Sequence, residues 1–169
     1  MSRSAKSIPV LAVVLFGAVV LPVAIGAPQL APNPSGPLTN DGLKTVLDNL
    51  GLEPQRLNGG YMITISRDGW SDAIVLGLSE DNSKLGLNAN LGQIAKPETV
   101  TAGQWRKLLE DNFEINPSFI SFDAKEKRLF MARVLDNRSI TPAFLRKQID
   151  NFCTNIHGTA VDWQGLTTE

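Results

Sequence analysis

The chain has few of the residues from which catalytic and metal sites are built. It contains one cysteine, Cys153, and one histidine, His157. A single cysteine cannot form an internal disulfide, and one cysteine with one histidine cannot complete a zinc site. No glycine-rich loop stands between a strand pattern and a helix pattern, as nucleotide-phosphate sites require. We therefore expect no cofactor and no bound metal, and a fold that depends on its hydrophobic core alone.

Charge is missing from the start of the chain after Arg3 and Lys6. A run of twelve apolar residues, VLAVVLFGAVVL, follows this basic start. The run suits a secretory signal peptide and is shorter than the roughly 20 residues that span a bilayer. Small residues then fit cleavage between Gly26 and Ala27. We predict a signal peptide over residues 1–26 and an exported protein, periplasmic or secreted; the alternative is an uncleaved membrane anchor.

The remainder of the chain is weakly acidic. Without residues 1–26 it has 14 basic and 17 acidic side chains, a formal charge of −3. Such a protein has no electrostatic reason to bind nucleic acid, and membrane contact is expected only through an uncleaved signal segment. Residues 27–38 contain four prolines and no charge, which predicts an extended linker. A single domain over 39–165 and a short tail over 166–169 complete the predicted organisation.

Hydrophobic spacing and turn residues predict eight elements within this domain. The first helix begins at Thr39 or Asn40, the second near Thr101 before Pro117, and the last at Thr141-Pro142. Strands are predicted over 61–66, 70–79, 84–91, 119–122 and 128–134. The links between the first three strands are too short for a parallel crossover. The predicted class is α+β, an antiparallel sheet with helices packed on it, in the order αβββαββα.

The segment VLDNRSITPAFLRKQ places an aspartate and an arginine between the last strand and the last helix. Asp136 and Arg138 have the residue types of an acid–base or binding pair. Thr141 followed by Pro142 is a helix N-cap with proline at the first helical position. We interpret these four residues as a structural joint in which Arg138 bonds to Asp136 or to nearby carbonyl groups.

Two further sets of residues have the right chemistry for catalysis. Cys153 and His157 are one helical turn apart, the spacing of a nucleophile and its base. Asp111 and Glu114 are surface carboxylates near the end of the second helix. Because Cys153 falls on the apolar stripe of the last helix, we interpret it as a core residue. A small exported enzyme using these residues remains the alternative hypothesis.

Aromatic side chains on the predicted strands are the better candidates for function. Tyr61, Trp70, Phe119 and Phe122 are candidates for a protein-interaction surface on a partly open sheet face, unless they complete the core. Trp105 on the second helix is a fifth candidate.

The chain resembles a known fold through LKTVLDNLGLEP, RDGW, LSEDNSKLGLNANLG, WRKLLEDNFEINPSFISFD and KRLFMARVLDNRSITPAFLRKQID. These segments and the element order resemble the type III secretion chaperone-like fold of the Tir chaperone family and YbjN-type proteins, including a bacterial set with signal peptides. The resemblance covers about residues 39–163. It implies a small, often dimeric, non-enzymatic protein that holds a partner polypeptide in extended form. It also implies that the second helix, with Trp105, forms a dimer interface.

Secretion chaperones act in the cytoplasm without an export signal, whereas a signal peptide is predicted at the start of this chain. The resemblance therefore implies the fold rather than the same cellular task. Together, these observations predict an exported, non-catalytic protein-binding domain that engages a polypeptide in the cell envelope, or a second copy of itself.

Overall fold

The computed structural model describes residues 36–168. The predicted signal peptide 1–26, with the cleavage residue Gly26, lies outside this range, as do linker residues 27–35 and Glu169. Within the described range, no helix has both the length and the apolar character needed to cross a membrane.

The domain consists of α-helices and strands in the predicted order, with one additional strand and one additional short α-helix; two single-turn 3-10 helices, Pro97–Thr99 and Asn137–Ser139, lie in the connections. In chain order these are α1 (Asn40–Asn49), β1 (Gln55–Leu57), β2 (Gly60–Arg67), β3 (Trp70–Leu78), β4 (Lys84–Gln93), α2 (Ala102–Glu114), β5 (Ser118–Asp123), β6 (Arg128–Asp136), α3 (Pro142–Gly158) and α4 (Ala160–Trp163). The predicted α+β class is confirmed. The additions are β1, which has three exposed residues and no alternating pattern, and α4.

All six strands form one antiparallel sheet in the order β1-β2-β3-β4-β6-β5. Asp68 and Gly69 join β2 to β3 with φ angles of 52° and 81°, as a tight hairpin turn between twisted strands requires. The predicted meander of three consecutive antiparallel strands, now β2 to β4, is confirmed. β5 and β1 form the two edges of the sheet.

The hydrophobic core lies between one face of the sheet and helices α1 and α3. Along β4, for example, Leu85, Leu87, Ala89 and Leu91 are buried while the intervening residues are half-buried or exposed. The predicted stripe of the last helix faces this layer, and all its members are buried: Leu145, Ile149, Phe152, Cys153 and Ile156. The opposite sheet face has exposed or half-buried side chains, so no helix of the described residues covers it.

Residues at both ends of the domain pack against this core. Leu38, the last residue of the predicted linker, is buried. Leu166 packs against the core from the predicted tail, and Thr168 pairs with Gln93 of β4. The packed region therefore extends past position 39 at one end and position 165 at the other.

Asn137 lies at the centre of the joint between β6 and α3. Its side-chain amide donates to the carbonyl groups of Leu38 at 2.9 Å and Asn82 at 2.8 Å, and its side-chain oxygen accepts from the Leu38 N–H at 3.2 Å. Asn137 thus ties the entrance of the domain to the end of β6, a structural role that was not predicted from the sequence.

The four residues predicted for the joint surround Asn137. The Arg138 guanidinium donates to both carboxylate oxygens of Asp136, at 2.9 and 2.6 Å, and holds the pKa of that carboxyl well below its usual range. Thr141 accepts a hydrogen bond from the backbone N–H of Phe144, and Pro142 opens α3. The arrangement is that of a strand-to-helix corner with an exposed ion pair.

Candidate protein-interaction site

Helix α2 begins with two reciprocal hydrogen bonds. The Thr101 hydroxyl accepts from the backbone N–H of Gln104, and the Gln104 side chain accepts from the backbone N–H of Thr101. Such a capping box satisfies two backbone donors that the first helical turn leaves free. It fixes where α2 starts and therefore which of its side chains face β5.

The side of α2 nearest β5 forms an apolar groove with that strand. The rings of Trp105 and Phe122, two of the predicted interaction residues, lie 5.2 Å apart at an angle of 55°, a favourable tilted contact. The groove has a volume of about 270 Å³. It is lined by Trp105, Leu108, Leu109, Asn112, Ile120, Ser121, Phe122 and Leu129. We call this surface the α2–β5 groove.

Two large apolar side chains project from α2, one lining the groove and one beside it. Leu109 is 69% exposed and Phe113, one turn further on, is 83% exposed. Isolated exposed apolar residues are common, but two on adjacent turns next to an apolar groove indicate an interaction surface. Phe113 was not predicted as an interaction residue, although it lies eight residues after Trp105 on the same helix.

Asn112 lines the groove, and its side chain occupies the free edge of the sheet at Ile120. Its side chain donates to the carbonyl of Ile120 at 3.1 Å and accepts from the backbone N–H of the same residue. These are the backbone groups through which an additional strand would pair with β5. A partner at this edge therefore meets side chains of α2 rather than a free strand edge at Ile120.

The other three predicted aromatic residues lie elsewhere. Tyr61 is buried in the core and is corrected to a packing residue, since its β2 position faces the helices. Trp70 is half-buried and its ring stacks on His157 with centroids 4.3 Å apart. Phe119 is exposed on the opposite, uncovered sheet face. The fold thus brings only Trp105 and Phe122 together.

Cys153 and His157 do not form a nucleophile–base pair. Nε2 of His157 lies 2.8 Å from Oδ2 of Asp72, a buried residue of β3. Cys153 is fully buried, and burial, with a smaller contribution from Asp72, raises the pKa of its thiol to about 12. Because a thiolate is the reactive form, this cysteine is not poised for nucleophilic attack.

The acid pair of the second helix is also separated. Asp111 is buried against α4, where it accepts from Lys107 Nζ at 3.1 Å, whereas Glu114 is exposed. Burial raises the pKa of Asp111, and the nearby Asp162 raises it further. The interpretation of Asp111 as a solvated surface carboxylate is therefore wrong, because α4, which the sequence did not predict, covers it.

Within residues 36–168, no group of three or more histidine, cysteine, aspartate or glutamate side chains could hold a metal ion. The described part of the chain thus offers an apolar groove with two projecting apolar side chains as its clearest candidate site.

Comparisons of sequence do not identify a relative. No protein-family model matches the chain, and no curated protein does. Comparisons of structure do find similar folds.

The structure is similar to a chain of the ExsC–ExsE complex, with a TM-score of 0.52 and 15% identity over 71% of this chain and 92% of that chain. It is similar to YbjN from E. coli, with a TM-score of 0.53 and 16% identity over 73% and 93% of the two chains. It is also similar to a chain of the heterodimeric ExoU–SpcU complex of the Pseudomonas aeruginosa type III secretion system, with a TM-score of 0.52 and 17% identity over 70% and 94%. At these identities the likeness concerns the fold, and this chain has the type III secretion chaperone-like fold.

Proposed function

We propose that this protein is an exported, non-catalytic, chaperone-like protein that engages a polypeptide partner in the cell envelope. The observation that carries the proposal is the α2–β5 groove with Leu109 and Phe113 projecting beside it. Structures with the same fold include complexes of two different proteins, among them ExoU–SpcU, which supports a polypeptide as the partner. Export rests on the basic start and apolar run of residues 1–26.

We further propose that the groove joins two copies of the chain. Phe113 lies one helical turn beyond Leu109, which lines the groove, so a two-fold axis can place each Phe113 ring in the groove of the other copy. A buried aromatic anchor in an apolar pocket is the typical source of binding energy in such an interface. The dimer would then present the remaining surface, including the uncovered sheet face, to the polypeptide.

The test is the mass in solution of the mature protein and two variants, by size-exclusion chromatography with light scattering. We expect a dimer for the wild type and a folded monomer for Phe113→Ser. Val161→Ser is the matched control, because Val161 is 85% exposed on α4 and does not line the groove; it should remain dimeric. A wild-type protein that is monomeric and also retains no polypeptide from an envelope extract would contradict the proposed binding function.

Export is tested separately from binding. Expression of the full chain in a bacterial host should give a protein in the periplasm or medium whose N-terminal residue is Ala27. Retention of residues 1–26 on a protein that sediments with membranes would instead support the uncleaved anchor.

Thiol titration tests the absence of a cysteine nucleophile. In native protein Cys153 should remain unreactive toward an aromatic disulfide reagent at pH 8, because its pKa is raised to about 12. One thiol should react after denaturation. Rapid reaction of the native protein would revive the enzyme hypothesis.

A further inference from the structure

The sheet is split at one end between its two central strands, β3 and β4. β3 pairs with β4 only from Ile74 onward, whereas its first residues, 70–73, pair with β2 alone. Across the split, the end of β4 from Asn90 to Gln93 pairs with β6. A bulge between Asn90 and Gly92 lies in this part of β4, and a bulge bends the strand that contains it. The two strands therefore separate where a regular sheet would continue.

A polar cavity fills this split, and we call it the β3–β4 cavity. Its volume is about 540 Å³, within the range of pockets that bind small ligands. Leu91 and Trp163 supply its apolar lining, and hydroxyl, amide and guanidinium groups supply the rest. Among the polar lining residues, Ser71, Asn90 and Gln93 are exposed. The cavity is therefore open to a ligand from solvent.

Arg128, at the start of β6, is the charged residue that lines the β3–β4 cavity. It is half-buried, and its guanidinium makes no hydrogen bond to the described residues. Asp123 lies opposite it in the β5–β6 ladder but forms no ion pair with it. The described arginines that pair with an acid are Arg67, Arg138 and Arg146. Arg128 can therefore offer two nitrogen atoms to the two oxygens of a carboxylate in the cavity.

The backbone of Ser71 points toward the same cavity. Arg67 and Trp70 flank the two-residue turn between β2 and β3, so they bond to each other and the backbone groups of Ser71 point away from β2. Ser79, which has the same place in the alternation along β3, donates its N–H to Lys84 of β4. Ser71 itself has no pair in β4 and lines the cavity. Its N–H and C=O are thus available to the backbone of an extended peptide.

The available part of β3 is short. Pairing with β4 begins at Ile74, and on the other side Thr168 pairs with Gln93 through two backbone hydrogen bonds of 3.3 and 2.8 Å. A peptide that pairs with Ser71 and continues in the extended conformation therefore has to end within the cavity. The end of a peptide is an ammonium or a carboxylate, and the positive charge of Arg128 favours the carboxylate.

We propose that the β3–β4 cavity binds the C-terminal residues of the polypeptide partner, with the terminal carboxylate on Arg128 and the peptide backbone on Ser71. This inference rests on the proposed function and adds which part of the partner is bound. The cavity and the α2–β5 groove have no lining residue in common. Binding of a peptide end and formation of the dimer can therefore be tested independently.

The first experiment measures the dissociation constants of three N-acetylated peptides at constant ionic strength. Gly-Thr-Val-Thr with a free C-terminal carboxylate should bind about tenfold more tightly than its C-terminal amide, because the amide loses a charge-assisted hydrogen-bond pair. The amide of Gly-Thr-Val-Asp, whose carboxylate is on a side chain, should bind no better than the first amide. Equal binding of acid and amide would overturn the carboxylate contact, and tight binding of the aspartate amide would overturn the assignment to a chain end.

The Arg128→Gln variant tests which residue holds the carboxylate. In this variant the tenfold preference for the acid over the amide should vanish, while the amide should bind as it does to the wild type. Arg56→Gln is the matched control, because Arg56 is exposed on β1 and does not line the cavity; it should keep the preference. Retention of the full preference in Arg128→Gln would contradict the proposal.

Amide hydrogen exchange, followed by NMR, tests the contact with β3. In the free protein the N–H of Ser71 should exchange faster than that of Val75, which pairs with Asn88 of β4. The acid peptide at ten times its dissociation constant should slow the exchange of Ser71 about tenfold. Unchanged exchange of Ser71 in the complex would overturn pairing with β3. If none of the three peptides binds while the wild type is dimeric and retains a polypeptide, this site is rejected and the proposed function stands.

Discussion

Helices α2 and α3 are built alike and used differently. Each begins at a threonine cap and has apolar residues at helical spacing. Every residue of the α3 stripe is buried, because this helix lies across the sheet and reaches from β6, through Arg133, to β2, through Arg67. Helix α2 contacts the edge strand β5 and has sheet on only one side, so Leu109 and Phe113 remain outside.

An amphipathic pattern therefore predicts how much apolar surface a helix has. It does not predict whether the same chain or another molecule covers that surface. For α3 the covering surface belongs to the same chain. For α2, part of the apolar surface is not covered by the same chain, and that exposed part is available to another molecule. Substitutions in the α3 stripe should therefore lower stability, whereas substitutions of the exposed apolar residues of α2 should weaken association and leave stability almost unchanged.

The largest difference should be between Phe152 and Phe113. Phe152→Ala removes a fully buried ring of α3 and should lower the free energy of unfolding by about 3–5 kcal/mol. Phe113→Ala removes an exposed ring and should change the stability of the monomer by no more than about 0.5 kcal/mol. Urea denaturation at low protein concentration measures both. Equal losses of unfolding free energy in the two variants would show that Phe113 is as much a part of the core as Phe152.

The next effect concerns the entrance of α3. Asn137→Ala removes three hydrogen bonds and leaves backbone groups of Leu38 and Asn82 without their partner. We expect a loss of about 2–4 kcal/mol. Arg138→Ala, the control, breaks an exposed ion pair that water and salt screen, and should cost clearly less than Asn137→Ala. If thermal unfolding ranks the two in the opposite order, the exposed pair and not the buried amide secures the joint.

A smaller effect is expected at the end of α3. His157→Ala leaves the buried carboxylate of Asp72 without its 2.8 Å partner and should cost about 1–3 kcal/mol. Lys147→Ala changes an exposed residue of the same helix and should be close to neutral. Comparable denaturation midpoints for the two variants would show that the His157–Asp72 contact does not hold α3 to β3.

The smallest expected change in stability is a gain rather than a loss, and it concerns Asp111 of α2. Burial raises the pKa of Asp111 above its ordinary value of 3.8, so the folded protein binds this proton more tightly than the unfolded chain. The charged form therefore destabilises the fold at neutral pH, and the penalty disappears as pH falls through the raised pKa toward the ordinary one. Asp111→Asn should raise the melting temperature by a few degrees at pH 7 and lose this advantage below about pH 4. A variant that melts lower at pH 7 would show that the bond from Lys107 outweighs burial.

The sequence was sufficient for features that depend on nearby residues. The stripe of α3 follows from spacing within one helix, and Thr141-Pro142 marks its start. The Asp68-Gly69 turn follows from two residues that tolerate positive φ. These signals are local, and the structure agrees with them in type and position.

Features that depend on residues far apart in the chain were beyond such reasoning. Asn137 and Leu38 are 99 positions apart, and the local sequence of neither segment predicts a contact with the other. Tyr61 and Phe122 lie on the same, helix-covered face of the sheet, yet Tyr61 is enclosed in the core and Phe122, on the edge strand β5, is half-buried against Trp105 of α2. How far a strand residue is enclosed depends on where the strand lies in the sheet and which helix packs above it, and that is decided by packing across the whole domain.

The side chain of Asn112 has a consequence for the behaviour of the protein at high concentration. Open sheet edges allow identical chains to join strand to strand, and repeated joining of this kind leads to fibrils. By bonding to both backbone groups of Ile120, Asn112 removes the central pairing position of β5 from this process. The chain can thus expose apolar side chains for association beside a strand edge and still resist open-ended polymerisation along it.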